Sequence, residues 1–267
     1  MNRIEKKFTE LKKAKRKAFI AFLTAGDPSL SATENLIPKM EAAGVDILEL
    51  GVPFSDPMAD GPVIQRSSER ALAKGTSLSK ILKLVAKIRK KSQIPILLMG
   101  YYNPILTFGV EKYFKAAAAA GVDGTLIVDL PPEEGGTAQK AAKKNKISLV
   151  YLLAPTSNGT RIKQVTHRGS GFIYYVSLTG ITGASLSTDL SKQPALKALK
   201  RASKLPVCVG FGIKTPAQAK EVGRLADGVV VGSALVHALE KNPGSQGLKK
   251  AGALAQRLAQ AVHSLKV

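Results

Sequence analysis

Val45-Asp46-Ile47-Leu48-Glu49-Leu50-Gly51-Val52-Pro53-Phe54-Ser55-Asp56-Pro57-Met58-Ala59-Asp60-Gly61-Pro62 joins an apolar strand to a long loop stiffened by prolines. Side chains alternate along a strand, so the pattern predicts that Glu49 shares a face with Val45 and Ile47 and points into an apolar interior. A carboxyl held there has a raised pKa and keeps its proton near neutrality. Asp60 follows eleven positions later. The backbone φ of Pro53, Pro57 and Pro62 is fixed by their rings, which lets the loop carry a second carboxylate back over the strand end.

Outward from this segment, apolar runs rich in Val, Ile and Leu recur at residues 18–23, 45–50, 94–99, 124–128, 147–153, 171–176, 206–210 and 227–231. Their near-continuous hydrophobicity predicts strands covered on both faces, as in a parallel sheet. Helical spacing fills the gaps, for example at Leu78, Ile81, Leu82, Val85 and Ile88. Eight alternations in 267 residues predict an α/β fold, a single (β/α)8 TIM barrel that takes up residues 1–267 as one domain. A Rossmann sheet is disfavoured because no Gly-x-Gly-x-x-Gly opens a helix after the first strand. Asp27-Pro28-Ser29 and Thr215-Pro216 read as helix starts, while Gly44 and Gly121 read as helix ends returning to strands.

Residues 1–17 read as a basic amphipathic helix with Ile4, Phe8 and Leu11 on one face, preceding the first strand and capping the barrel bottom. Glu5 and Glu10 do not suit the n-region of a signal peptide, and no apolar run reaches transmembrane length. One cysteine, Cys208, excludes an intrachain disulfide and fits a reducing, cytoplasmic setting. The formal charge of +21 suits an anionic substrate, nucleic acid or an acidic surface. Lysines are nevertheless scattered along helix faces apart from residues 12–17, and the absence of tryptophan leaves few stacking platforms, which argues against nucleic acid. His167, His237 and His263 have no metal-ligand spacing, so neither metal nor organic cofactor is expected in this chain.

Barrel enzymes build their sites from the loops after the strands. Gly210-Phe211-Gly212 and Gly232-Ser233, the latter opening a short helix over residues 234–239, occupy the places after strands seven and eight where such barrels meet a phosphate. The Gly-, Thr- and Ser-rich residues 179–189 read as a lid.

The segment from Glu49 to Pro62 closely resembles the signature of the tryptophan synthase α subunit, and residues 21–28, 98–104, 128–131, 180–183, 209–213 and 232–234 extend the resemblance along nearly the whole chain. The resemblance implies that Glu49 and Asp60 are the catalytic pair that cleaves indole-3-glycerol phosphate, with Tyr174 as an active-site tyrosine. It further implies that Gly183, Gly212, Gly232 and Ser233 bind the glycerol phosphate, that Phe22, Leu98, Tyr101 and Phe211 enclose the indole, and that Thr182 meets Asp60 on closure. Leu178 stands where some relatives carry a lid arginine. The implied partner is a pyridoxal-phosphate-dependent β subunit in an α2β2 tetramer; Pro53, Phe54, Pro57 and Met58 put more apolar surface on the Asp60 loop than a free loop has reason to expose, so docking is expected around residues 53–58. A glycine-bearing barrel of another kind, an indole-glycerol-phosphate synthase or a sugar-phosphate isomerase, would lack the Asp60 loop and would carry a lysine at a strand end.

Overall fold

A computed structural model of the chain describes residues 1–176, 194–210 and 212–265. Eight parallel strands pair in sequence order and close on themselves: β1 (Ala18–Thr24), β2 (Ile47–Gly51), β3 (Ile96–Gly100), β4 (Gly124–Ile127), β5 (Ser148–Leu153), β6 (Ile173–Val176), β7 (Val207–Gly210) and β8 (Gly228–Val231). Every apolar run of the sequence became one of them. Because β8 returns to β1 through Ala18 to Ala21, no edge is left open.

The helices that bear on the site are α1 (Arg3–Lys13) before the barrel, α2 (Leu30–Ala42) after β1, and α3 (Pro62–Ala73) and α4 (Leu78–Ile88) after β2. They continue with α5 (Tyr102–Phe108) and α6 (Val110–Ala120) after β3, α7 (Gly136–Lys144), α8 (Gly159–Arg168), α9 (Pro194–Ala202) and α10 (Pro216–Leu225). After β8 come α11 (Ser233–Glu240) and α12 (Ser245–His263). The helix starts expected from sequence are present: Ser29 caps α2, and Thr215 forms a reciprocal capping box with Gln218 on α10. Gly121 ends α6 at φ 88°, a left-handed conformation that glycine adopts without steric cost.

Two apolar layers result. The outer layer packs helices against the strands, whereas the inner one stacks Ala18, Ile20, Ile47, Leu97, Leu126, Val150, Cys208 and Val230 inside the barrel. The bottom of the inner layer is closed by α1, whose Ile4, Phe8 and Leu11 join it, with the Phe8 and Phe172 rings 5.7 Å apart. Asn2 fixes that plug twice: it shares a capping box with Glu5, and its Nδ2 donates to Ser148 Oγ at 2.7 Å. One expectation fails locally. Val45 precedes β2 and belongs to the outer layer, because Asp46 turns the chain by bonding the Phe19 N–H and His263 instead of continuing the strand; Ile47 and Glu49 alone share the inward face.

Candidate active site

Glu49 projects from the inner face of β2, two residues above Ile47 and beside Leu97, its register partner on β3. It is 1% exposed, and neither carboxyl oxygen has a hydrogen-bond partner among the described residues. Loss of hydration therefore acts almost unopposed, and together with the nearby charge of Asp60 it pushes the Glu49 carboxyl from 4.5 up to about 8. At neutral pH the group is mainly a protonated acid.

Asp60 sits on the β2–α3 loop, over the same mouth. Burial raises it to about 6, opposed by a hydrogen bond from Tyr101, whose hydroxyl reaches Asp60 Oδ2 at 3.2 Å. That hydroxyl also accepts the Ala59 N–H at 3.0 Å, so one tyrosine holds both the backbone and the carboxylate of the loop. The helix that follows this tyrosine is held from the loop after β4: Asp129 accepts the Tyr102 N–H at 2.7 Å and fixes the start of α5, whose N-cap is Tyr101. Two carboxyl groups in one site are thus driven apart, one neutral and one ionised near pH 7, the arrangement that divides acid and base roles.

The side chains named from sequence do not all arrive. Phe22 lines the mouth, and its ring lies so close to Gly51 and Gly232 that a Cβ on either would press against it. Tyr174 points inward from β6 against Gly210, and burial together with the Glu49 charge raises its phenol well above the ordinary range. Tyr175, its neighbour, packs in the outer layer. Leu98 is a correction. It pairs with Leu50 on the outward face of β3 and packs in the outer layer, while Met99 lines the mouth beside Phe22, Asp60 and Tyr101. Ile64 and Ser68 also line it and carried no signal in the sequence, and so do Thr24 and Val128, which lie in segments of the resemblance that assigned them no role. Thr182, Gly183, Phe211 and the lid at 179–189 lie outside the described residues.

The phosphate candidates flank β7 and β8. Gly212 holds φ 74°, and Gly232 precedes α11 with no side chain capping the helix. The Leu235 and Val236 N–H groups bond the Gly232 carbonyl, so among the described residues those of Ser233 and Ala234 are left to an anion or to water. In the Asp60 loop, Pro53 is buried and Phe54 half-buried, its ring 5.2 Å from that of Tyr101. Of the apolar side chains expected on the loop surface, the most open is Met58, 85% exposed; Leu106 on α5 is 57% exposed.

A mouth fitted for acid–base work on a phosphorylated molecule defines the class, the phosphate-handling barrel enzymes. Comparison narrows it. A sequence profile described as tryptophan synthase alpha chain matches residues 8–263. The tryptophan synthase alpha chain of Geotalea daltonii is 56% identical over 246 residues, covering 92% of this chain and 93% of that one. That of Citrifermentans bemidjiense is 53% identical over 264 residues, covering 98% of each. The crystal structure of tryptophan synthase subunit alpha from Legionella pneumophila superposes with a TM-score of 0.89 at 41% identity, covering 99% of this chain and 100% of that one. The chain belongs to the tryptophan synthase alpha chain family. It is a carbon–carbon lyase that cleaves indole-3-glycerol phosphate, in a family that works with a β subunit.

Proposed function

We propose that Glu49 and Asp60 divide the cleavage between them. The observation that carries this is the buried Glu49 carboxyl, without a hydrogen-bond partner among the described residues and raised to about 8 beside an Asp60 raised only to about 6. Protonated Glu49 delivers its proton to C3 of the indole ring. Ionised Asp60 accepts a hydrogen bond from the ring N–H and stabilises the positive charge that develops there. The Glu49 carboxylate then removes the proton of the side-chain hydroxyl, the bond from C3 to the hydroxyl-bearing carbon breaks, and its electron pair returns to the ring. Indole and glyceraldehyde 3-phosphate leave, and Glu49 has regained the proton it gave.

Tyr174 borders the reacting atoms, Phe22, Tyr101 and Met99 enclose the ring, and Gly212, Gly232 and Ser233 hold the phosphate. Gly183 and Phe211 join these groups, and Thr182 meets Asp60, on the sequence resemblance alone. Residues 1–267 act as one cytoplasmic domain without a cofactor, in an α2β2 assembly whose β subunit carries pyridoxal phosphate. Met58 and Leu106 offer that subunit apolar surface next to the mouth.

Indole release measured across pH tests the division of roles. Working Glu49 is protonated and working Asp60 ionised, so kcat/KM should rise through about 6 and fall through about 8. A rate that keeps climbing above pH 8 would exclude Glu49 as the acid.

A further inference from the structure

Three segments that build the mouth meet again behind it, on one guanidinium. The first is α3, which starts at Pro62 just after Asp60 and is tied to it by Gln65, whose Nε2 donates to the Asp60 carbonyl at 2.9 Å. One turn further, Arg70 forks onto Asp27, with Nε to Oδ1 at 2.8 Å and Nη2 to Oδ2 at 2.7 Å, while Ser67 Oγ donates to the same carboxylate at 2.5 Å. Asp27 is buried and follows β1, the strand that brings Phe22 and Thr24 to the site. The third bond of Arg70 runs from Nη1 to Glu240 Oε1 at 3.0 Å. Arg66, one turn earlier on α3, grips both Glu240 oxygens at 2.7 and 3.0 Å, and His237 Nδ1 lies 3.4 Å away.

Glu240 is the last residue of α11, and Ser233 the first. The seven residue steps between them span about 10 Å, a short rod with the phosphate candidate at one end and the Arg66–Arg70 grip at the other. A guanidinium can hold two carboxylates on different elements at once because its donors are forked and planar, which an ammonium cannot match. Substitution by lysine would keep the charge and lose the double attachment.

We propose that Arg70 is a positioning residue that couples the phosphate site at the start of α11 to the Asp60 carboxylate, through Glu240 on one side and α3 on the other. The inference rests on the phosphate reading of Gly232 and Ser233. Seating an anion on α11 draws its first turn inward; the far end carries Glu240 and, through the grip, α3 and the loop that ends in Asp60. Coupling of this kind is reciprocal.

The test is a two-ligand titration on the full chain, with indole-3-propanol as a phosphate-free probe of the Asp60 side and inorganic phosphate as the second ligand. The chain has no tryptophan, so indole fluorescence reports the probe alone. In the parent, saturating phosphate should tighten the probe at least about fivefold, the lower end of ordinary coupling between sites. In Arg70→Lys and, independently, in Glu240→Gln, each ligand should still bind alone while the tightening falls to near one; a role in folding alone would weaken binding without removing the coupling. Glu240→Gln alters a helix end and keeps the readout available if Arg70→Lys folds poorly. An unchanged factor in both variants, or a factor of one in a parent that binds both ligands, overturns the coupling. If inorganic phosphate does not bind the parent at all, the phosphate reading itself fails and takes this inference with it.

Discussion

Glu49→Gln should destroy activity and stabilise the fold, by an amount that depends on pH. In the unfolded chain the carboxyl loses its proton near 4.5, whereas in the folded barrel it keeps it until about 8. Between those values the folded state binds more protons than the unfolded one, so stability falls as pH rises and levels off above about 8. Each unit is worth about 1.4 kcal/mol, which puts the accumulated penalty near pH 7.5 at about 4 kcal/mol, as an upper figure. Glutamine has nearly the size and desolvation of the neutral acid but cannot ionise, so it should escape the penalty. Urea unfolding of both proteins from about pH 5 to 8 measures the gap; with a slope of about 3 kcal/mol per molar, the midpoints should separate by about 1 M at the upper end and close together at the lower. A gap independent of pH, or a variant that loses stability with pH as steeply as the parent, would refute the claim that Glu49 is buried as an acid. Indole release in the same variant should drop by at least about a hundredfold, the usual contribution of a general acid–base group.

Asp60→Asn should be similarly inactive, and it should also lower the Glu49 pKa, because the Asp60 charge is one of the two causes that raise it; a carboxyl carbon titration by NMR would read the shift, and an unmoved Glu49 would show that burial acts alone. Adding the β subunit should accelerate indole release from this chain by ordering the Asp60 loop. Met58→Ala and Leu106→Ala should blunt that stimulation without changing the rate of the isolated chain, since both side chains stand in solvent at the rim; stimulation untouched by the pair would move the interface elsewhere.

The barrel was legible because parallel strands covered on both faces leave uninterrupted apolar runs, and all eight such runs became strands. That same uniformity hid which residues face inward. In the run Ile96-Leu97-Leu98-Met99 nothing alternates, so an inward Leu98 and an inward Met99 read equally well from sequence. Only the ladder decides: Glu49 pairs with Leu97 and Leu50 with Leu98, so the inward register passes through Leu97 to Met99. Glu49 itself was legible because a carboxylate inside an apolar run is costly and needs a reason. Thr24, Ile64 and Ser68 were not, since their place at the mouth depends on how the Asp60 loop and α3 fold back over β1. The Arg70 grip spans residues 27, 70 and 240, a distance in sequence that no local pattern reports.

What keeps Glu49 acidic is settled at the far end of the barrel. A carboxyl in the upper part of the inner layer stays dry only if water cannot reach it from below, and a barrel bottom is open unless something fills it. Here Ile4, Phe8 and Leu11 of α1 fill it, stacked under Phe172 and the ring of inner residues that ends at Ile47 beneath Glu49 and Leu97 beside it. The apolar face of α1 is therefore part of the electrostatics of the site: each layer between it and Glu49 removes polarizable solvent that would otherwise favour the charged form. The hydrogen bonds that seat this plug, from Asn2 to the Asp123 carbonyl and Ser148 and from Arg3 to Asp123, involve no group at the mouth. Stability and acidity are separated along the barrel axis, with polar anchoring at the bottom, an apolar column in the middle, and at the top a carboxyl that has no hydrogen-bond partner among the described residues, so that its proton remains free to move.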